Sequence, residues 1–476
     1  MSKQSLSLVE NDGKITLPRE LVEADIARAN GDHEKALRAA LEYLNSHFDY
    51  VPALILCAHV FIDTKRFGLA AAVMQRAVTL APDLPVVWNN LGICYDEEQH
   101  LDEAEKCFIK ALNRNPNDDL SLSNLSALYL KKSQPQKALN VGIKALALNP
   151  KVTGIRNNIA QSHLMLGQWK EGWAEYDANL GMQGGRKERT YGPIPRWTGV
   201  EGLNLVVHGE QGIGDEISFA SCIPDLMREN KVVIECDHRL QGLFLRSFGV
   251  PTYGTLYFKG ALEWPLEHDL DAKVAIGSLP QFYRNSIESF PGTPYLKADP
   301  ERRIMWRALL DSLGPKQKVG IAWSGGIKKT GVSRRSIPLE DMLPILRQDA
   351  TFISMQYKPS PEILDLYEKT GIVIHHWPHA METDDYDDTA ALVAELDLVI
   401  TVQQSVVHLA GGLGVPCWAM VPTEGALWRY GVSGSDFPWA KSVKLCRQGG
   451  TKWVNTIADV ATDLRNYVAD PDKKPA

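Results

Sequence analysis

One feature constrains the first part of this chain more than any other: its residue pattern recurs every 34 positions. Between Pro85 and Asp118 the marked positions are Trp88, Leu91, Gly92, Tyr95, Ala104, Phe108, Ala111 and Pro116. One period later stand Leu122, Leu125, Ser126, Tyr129, Ala138, Ala145 and Pro150, and one period earlier Leu54, Ala58, Phe61, Ala70, Ala77 and Pro82. A further shift finds Ile159, Ala160 and Tyr176, with Gly167, Trp169 and Trp173 nearby, and a weaker unit carries Ala24, Ala36 and Ala40. A fixed period of this length means one supersecondary unit stacked on copies of itself, because a single unit cannot bury its own apolar face.

The unit is a pair of antiparallel helices at tetratricopeptide (TPR) spacing, and residues 1–185 read as an all-α TPR superhelix of about five helix pairs. Small residues such as Gly92 and Ala104 let the two helices approach, large ones such as Leu91 and Phe108 fill the seam, and proline after the second helix ends it. The sixth position of the unit is Asn90, Asn124 and Asn158, with Leu56 in the preceding repeat. A side-chain amide offers an acceptor and two donors, so a ladder of them suits the backbone of an extended peptide. The three asparagines are therefore candidate peptide-binding residues, and a protein or peptide acceptor held in the TPR groove is the expected partner. Asparagine as a merely frequent residue at this position is the plainer alternative.

The periodicity stops in Gly181–Pro195, a linker, and short apolar runs then alternate with helical stretches. Leu203–Gly209, Lys231–Cys236 and Lys273–Leu279 read as strands, with Glu216–Glu229 and Leu240–Phe248 as helices between them. A second series has strands at Lys318–Trp323, Thr351–Gln356, Ile372–Trp377, Leu398–Val402 and Pro416–Val421. Its helices are Leu339–Arg347, Pro361–Thr370, Thr389–Glu395 and Ser405–Leu413, and Ile457–Val468 packs back as a last helix. Such alternation gives parallel sheets. Residues 186–300 and 301–476 are expected to form two α/β lobes, with ligands in the loops after strands.

Three such loops carry candidate chemistry. The first, His208-Gly-Glu-Gln-Gly-Ile-Gly-Asp215, places Gly212 and Gly214 where backbone must approach a ligand, and starts a helix at Asp215. Asp215 is either a helix cap or a general base toward an acceptor hydroxyl. The second runs Ser324-Gly325-Gly-Ile-Lys-Lys to Arg334-Arg335, suited either to a diphosphate or to solvent. The third, Thr401-Val-Gln403-Gln404-Ser405 to His408, turns a strand into a helix whose first amides point at the same phosphates. His408 is either a ligand contact or a core histidine.

Composition removes other classes. Lys and Arg total 51 against 58 Asp and Glu, and neither side of residue 185 is basic, so no nucleic-acid partner is expected. The seven cysteines are scattered with no CxxC pair, which suits a reducing compartment. The first residues lack a signal-like apolar core, and the charge-free stretch from Leu398 to Thr423 holds Gln403, Gln404, His408 and two prolines, so no membrane span is expected. A cytoplasmic location follows from these signs. Asp269-Leu-Asp271 and Asp385-Tyr-Asp387 match a metal–diphosphate pattern by chance frequency, and adjacent His375 and His376 point to opposite strand faces, so no metal is expected. Trp428-Arg429-Tyr430, just after the last strand, either faces the acceptor or donor or serves packing.

The segments GEQGIGDEISFA, IGSLP, WSGG…RRSIPLEDM, DTAALVAELDLVITV…HLAGGLGVPCWAMVP and WRYG…PWAKSVKLCRQ occur in this order. Together with the repeats, the chain resembles bacterial TPR-containing glycosyltransferases with a heptosyltransferase-like catalytic region of GT-B fold. In plan it is similar to protein O-linked N-acetylglucosamine transferase and to TPR flagellin glycosyltransferases. The resemblance implies an inverting, metal-independent transfer, without cofactor, from a nucleotide-sugar donor held by the second lobe. It implies Asp215 as base, with Ser324, Arg335, Ser405 and His408 around the phosphates. The chain departs where members carry Asp-Thr: here stand Gln403 and Gln404. A TPR scaffold whose transferase half has degenerated, and a transferase for glycan or lipid acceptors, are the rival expectations.

Overall fold

The computed structural model describes residues 9–10, 13–14, 17–151, 154–182, 185–326, 332–357, 361–382, 384–450 and 452–470. Gln183-Gly184 in the linker and Ile327-Lys328-Lys329 in the second loop lie outside the described residues. The chain divides into two compact units, 1–162 and 163–476. The division falls within a helix of the last repeat, ahead of the linker.

In the first unit, β1 (Val9–Glu10) pairs antiparallel with β2 (Gly13–Lys14). Helices follow as α1 (Arg19–Ala29), α2 (His33–Ser46), α3 (Val51–Asp63), α4 (Phe67–Leu80), α5 (Pro85–Glu97), α6 (Leu101–Arg114), α7 (Asp119–Lys131), α8 (Pro135–Leu148) and α9 (Ile155–Met165). Each odd helix packs on the even one after it, from α1–α2 to α7–α8, and each hairpin packs on the next. The seam is built as the spacing demands: Ala70, Ala104 and Ala138 are fully buried, and a Cβ added to Gly92 would sit 2.6 Å from the Phe108 ring.

The turn inside each hairpin also repeats. Gly31, Lys65, Gln99, Ser133 and, continuing into the second unit, Gly167 all adopt left-handed backbone, with φ of 89, 59, 70, 53 and 73°. The next amide bonds back across the turn each time, as Arg66 N–H does to the Phe61 carbonyl at 2.7 Å and His100 N–H to Tyr95 at 2.8 Å. This closure satisfies the helix-end carbonyls that would otherwise face water alone. Three of the five positions hold side chains where glycine is unstrained.

The second unit opens with α10 (Trp169–Asp177) and continues as β3 (Asn204–His208), α11 (Ile213–Ala220), α12 (Ile223–Glu229), β4 (Lys231–Glu235), α13 (Gln241–Phe248), β5 (Thr252–Tyr253), β6 (Ala272–Ala275), α14 (Pro280–Tyr283) and α15 (Pro300–Asp311). Then come β7 (Lys318–Ala322), α16 (Val332–Arg335), α17 (Leu343–Leu346), β8 (Thr351–Ser354), α18 (Pro361–Thr370), β9 (Ile374–His375), α19 (Pro378–Met381), α20 (Tyr386–Ala394), β10 (Leu398–Val402), α21 (Ser405–Leu413), β11 (Cys417–Val421), β12 (Val443–Arg447) and α22 (Val454–Ala469). Two sheets result, both parallel throughout: β5-β4-β3-β6 and β12-β11-β10-β7-β8-β9. β7, β10 and β11 are buried along their whole length, as strands covered on both faces must be. Ile457, Val460 and Leu464 of α22 close one side of that core.

Several boundaries differ from the sequence expectation. The helix expected over Glu216–Glu229 is broken at Ser221–Cys222, because Pro224 at the start of α12 cannot continue the helix before it. The strand expected to reach Leu279 ends at Ala275 and turns into a 3₁₀ segment, Ile276–Ser278. The short edge strands β5 and β12, and helix α15, were not anticipated.

In both sheets the first strand of the series lies inside. β3 sits between β4 and β6, and β7 between β8 and β10. The strand order therefore reverses at β3/β6 and at β7/β10, and the loops leaving the carboxyl ends of those strands are where sheets of this kind bind ligands.

Candidate functional site

The loops at the two reversal points carry the residues singled out in the sequence, and they meet. A Cβ added to Gly214 in the first turn of α11 would lie 3.3 Å from Ser405 Cα and 3.5 Å from the His408 ring. A side chain there would press the two helix starts apart by a few tenths of an ångström. On the other side, a Cβ on Gly325 would lie 2.7 Å from the Gln403 carbonyl and 2.9 Å from the Gln404 side chain, so the β7 and β10 loops touch as well. Ser336 Oγ donates to Ser324 Oγ at 3.1 Å, and the Ser324 amide donates to the Gln356 side chain at 3.2 Å. Arg335, 3% exposed, reaches the Gln403 carbonyl with Nη1 at 3.4 Å, and burial draws its guanidinium below the usual arginine range.

Gln403 is fully buried: its Oε1 accepts from the Leu427 amide at 3.1 Å, and its Nε2 has no hydrogen-bond partner among the described residues. Gln404 stands at the N-cap of α21 with extended backbone, and its Nε2 donates to Thr401 Oγ1 at 3.1 Å. Tyr386 OH donates to Ser405 Oγ at 3.3 Å. His408 is buried against the Tyr430 and Phe437 rings, and burial, with the Arg429 charge, pushes its imidazole down to about 3. It is a neutral side chain at ordinary pH.

Asp215 occupies the third position of α11, where one carboxylate oxygen accepts from the Gly212 amide at 3.3 Å. Its other oxygen is held by Arg429 Nη1 at 2.6 Å. Sequence reasoning missed this partner, because 214 positions separate the two and nothing local links them. Arg429 is 5% exposed, with its guanidinium over the Phe219 ring at 4.6 Å and the Trp428 ring at 4.3 Å. Its Nε and Nη2 have no hydrogen-bond partner among the described residues. Trp428 packs in an aromatic cluster with Trp173, Tyr176, Phe219 and Trp439.

Two neighbouring acids are engaged in structure. Glu210 forms a buried bidentate pair with Arg186 (2.6 and 2.9 Å) and accepts from the Gly277 amide at 3.1 Å. Glu216 is fully buried, its Oε2 accepting from the Asp237 amide at 3.0 Å, and burial raises its carboxyl to about 8. The aspartates of the two D-x-D matches lie elsewhere: Asp385 and Asp387 pair with Arg302 and Arg246, and Asp271 accepts from the Asn204 amide. His375, His376 and His379 take different partners, Trp377, Glu382 and Trp306.

The asparagines of the repeats are spent differently from a simple ladder. Asn90 is 1% exposed, its Nδ2 against His59 Nε2 at 3.0 Å. Asn124 donates to Asn89 Oδ1 at 2.9 Å and Asn158 to the Ser123 carbonyl at 3.4 Å, both half-buried. Each amide thus ties its helix to the preceding repeat, and only the latter two keep a solvent-facing portion.

By its period and its hairpins the chain is a TPR protein, and its C-terminal part is built on parallel sheets covered by helices. The tetratricopeptide repeat model matches residues 85–118, and the model described as Cyclin-dependent kinase inhibitor 3 (CDKN3) matches residues 327–423. Protein FlbA of Caulobacter vibrioides is 28% identical over 86% of this chain and 71% of its own length, a likeness that extends over both compact units. The peroxisomal targeting signal receptor of Kluyveromyces lactis is 32% identical over 23% of this chain, which spans 20% of that receptor. Among solved structures, MamA is 18% identical with a TM-score of 0.31, covering 34% of this chain and 93% of its own. The pilF protein of Pseudomonas aeruginosa is 20% identical with a TM-score of 0.32, over 33% and 72%. No helix among the described residues is long and apolar enough to cross a membrane.

Proposed function

We propose that this chain is a polypeptide-binding TPR protein whose repeats hold a protein partner for its α/β region. The observation that carries this is the repeat itself, with the tetratricopeptide match at 85–118 and peroxisomal targeting signal receptors among its relatives. Half-buried Asn124 and Asn158 are the amides left to meet an extended backbone. An immobilised peptide library probed with the full chain tests it: binding should fall when Asn124 and Asn158 are both changed to alanine. Equal binding by that variant, or none by the native chain, would remove the peptide-groove reading.

A second reading is favoured by the meeting of the loops at the two reversal points. In it, residues 186–300 and 301–476 are the lobes of a GT-B glycosyltransferase acting in the cytoplasm, with a nucleotide-sugar donor on the second lobe. Ser324, Gly325, Arg335 and the amides from Gln403 to Ser405 would surround the diphosphate, where two helix starts already favour negative charge. Asp215 would take the proton of the acceptor O–H as that oxygen bonds the anomeric carbon. The bond from that carbon to the diphosphate breaks, and its electron pair leaves on the diphosphate oxygen. Stabilising that charge is the main task of the loops. Release of nucleoside diphosphate from UDP- and GDP-sugars in the presence of a bound polypeptide, lost in Asp215→Asn, is the expected outcome. A chain that releases none would be a scaffold without transfer.

A further inference from the structure

The Asp215–Arg429 pair joins a residue of the first-lobe helix α11 to a loop that follows β11 of the second sheet. Two helix starts flank it. The starts of α11 and α21 lie against each other at Gly214 and Ser405, each presenting free amide ends and a positive dipole terminus. Arg429 adds a full charge, 95% removed from water, with only Nη1 in an ion pair. Its Nε and Nη2, a parallel pair of donors, have no hydrogen-bond partner among the described residues, and neither has the side-chain Nε2 of Gln403. A desolvated guanidinium with two unused nitrogens is costly unless an anion takes them in another state. Asp215 is the one acid whose carboxylate meets Arg429 at hydrogen-bonding distance among the described residues.

We infer that Asp215 is an internal anion, which the diphosphate of a nucleotide ligand displaces from Arg429, so that ligand binding itself frees the carboxylate. This rests on the nucleotide-sugar reading and deepens it by naming Arg429 as a ligand-binding residue and the ion pair as a latch. With the pair closed, one carboxylate oxygen of Asp215 is occupied by Arg429 Nη1 and the other by the Gly212 amide, so neither is open to an acceptor hydroxyl. Once the diphosphate takes Nε and Nη2 bidentately and draws the guanidinium toward itself, Nη1 leaves the Asp215 oxygen, which is then free to accept the acceptor's proton. Donor binding and base activation become one event, and an acceptor bound without a donor meets an inactive base.

The test is calorimetric titration of the full chain with UDP, GDP, ADP and dTDP, compared among the native protein, Asp215→Asn, Arg429→Lys and Arg429→Gln. Removing the internal competitor should tighten binding of the accepted nucleotide about tenfold in Asp215→Asn, whereas Arg429→Gln should weaken it about tenfold or more. Arg429→Lys keeps the charge, loses the fork and should fall between the two. Unliganded melting curves show that each variant is folded, and Arg429→Lys, the gentlest change, keeps the comparison decisive if Arg429→Gln does not fold. Unchanged affinity in Asp215→Asn, with the native chain binding, overturns the latch and leaves the nucleotide reading standing. A native chain that binds none of the four nucleotides overturns both.

Discussion

The repeats and the α/β region solve the same problem, bringing distant residues into contact, by opposite means. In residues 1–162 every important contact is made within a hairpin or with its neighbour: Gly92 meets Phe108, and Asn124 meets Asn89. In residues 163–476 the decisive contacts span the chain: Gly214 meets Ser405, Asp215 meets Arg429, and Trp173 donates its indole N–H to the Arg284 carbonyl at 2.7 Å. A local architecture tolerates damage one repeat at a time, whereas a non-local one concentrates its vulnerability in a few residues.

The largest expected effect follows from that concentration. Trp173, 1% exposed, packs edge-on against Tyr176, Phe219, Trp428 and Trp439. Trp173→Ala should cost about 3–5 kcal/mol in chemical denaturation, and loosen the wall beside Asp215. A loss below about 1 kcal/mol would break the contrast between the two units.

Next is a pH effect confined to the second unit. The Glu216 carboxyl is raised from 4.5 to about 8 by burial, so between those values the folded state holds a proton that the unfolded state has released. Its contribution is therefore complete below about 4.5 and is lost as pH rises through 8, a few kcal/mol at most. Glu216→Gln should flatten that loss between pH 5 and 8. The buried histidines act with the other sign: His59, lowered to about 4 beside Asn90, costs the repeats stability as pH falls below 6.5. An unchanged pH–stability slope in Glu216→Gln would refute the buried, neutral acid.

Within the repeats, Gly92→Val should cost about 1–3 kcal/mol, since its Cβ would collide with Phe108. The smallest effect has the opposite sign. Gln99 and Ser133 sit in left-handed backbone at φ 70 and 53°, and replacing either by glycine should gain about 0.5–1 kcal/mol by relieving strain. A destabilised Gln99→Gly would show that its side chain contributes more than its backbone costs.

Legibility in the sequence divides along the same line. The hairpins were readable because Ala58, Gly92 and Ser126 recur with their partners in one short window, and so were the loops around Gly214, Ser324 and Ser405, where apolar strands run into glycine and helix starts. What could not be read was side-chain use. Asn90 looked like a groove residue and is buried on His59, because inter-repeat contacts depend on how hairpins stack. Arg429 read as facing a ligand or as packing, and its pairing with Asp215 was not legible, because strand order, not spacing, brings the two together. Two-residue β5 is too short to leave a pattern.

The division of labour is tested most directly by hydrogen–deuterium exchange of the full chain with and without a saturating nucleoside diphosphate. The account predicts slowed exchange in residues 209–216, 324–326, 403–408 and 428–430, with the helices of residues 19–148 unchanged. Slowing spread evenly over both units, or absent from all four segments, would contradict it.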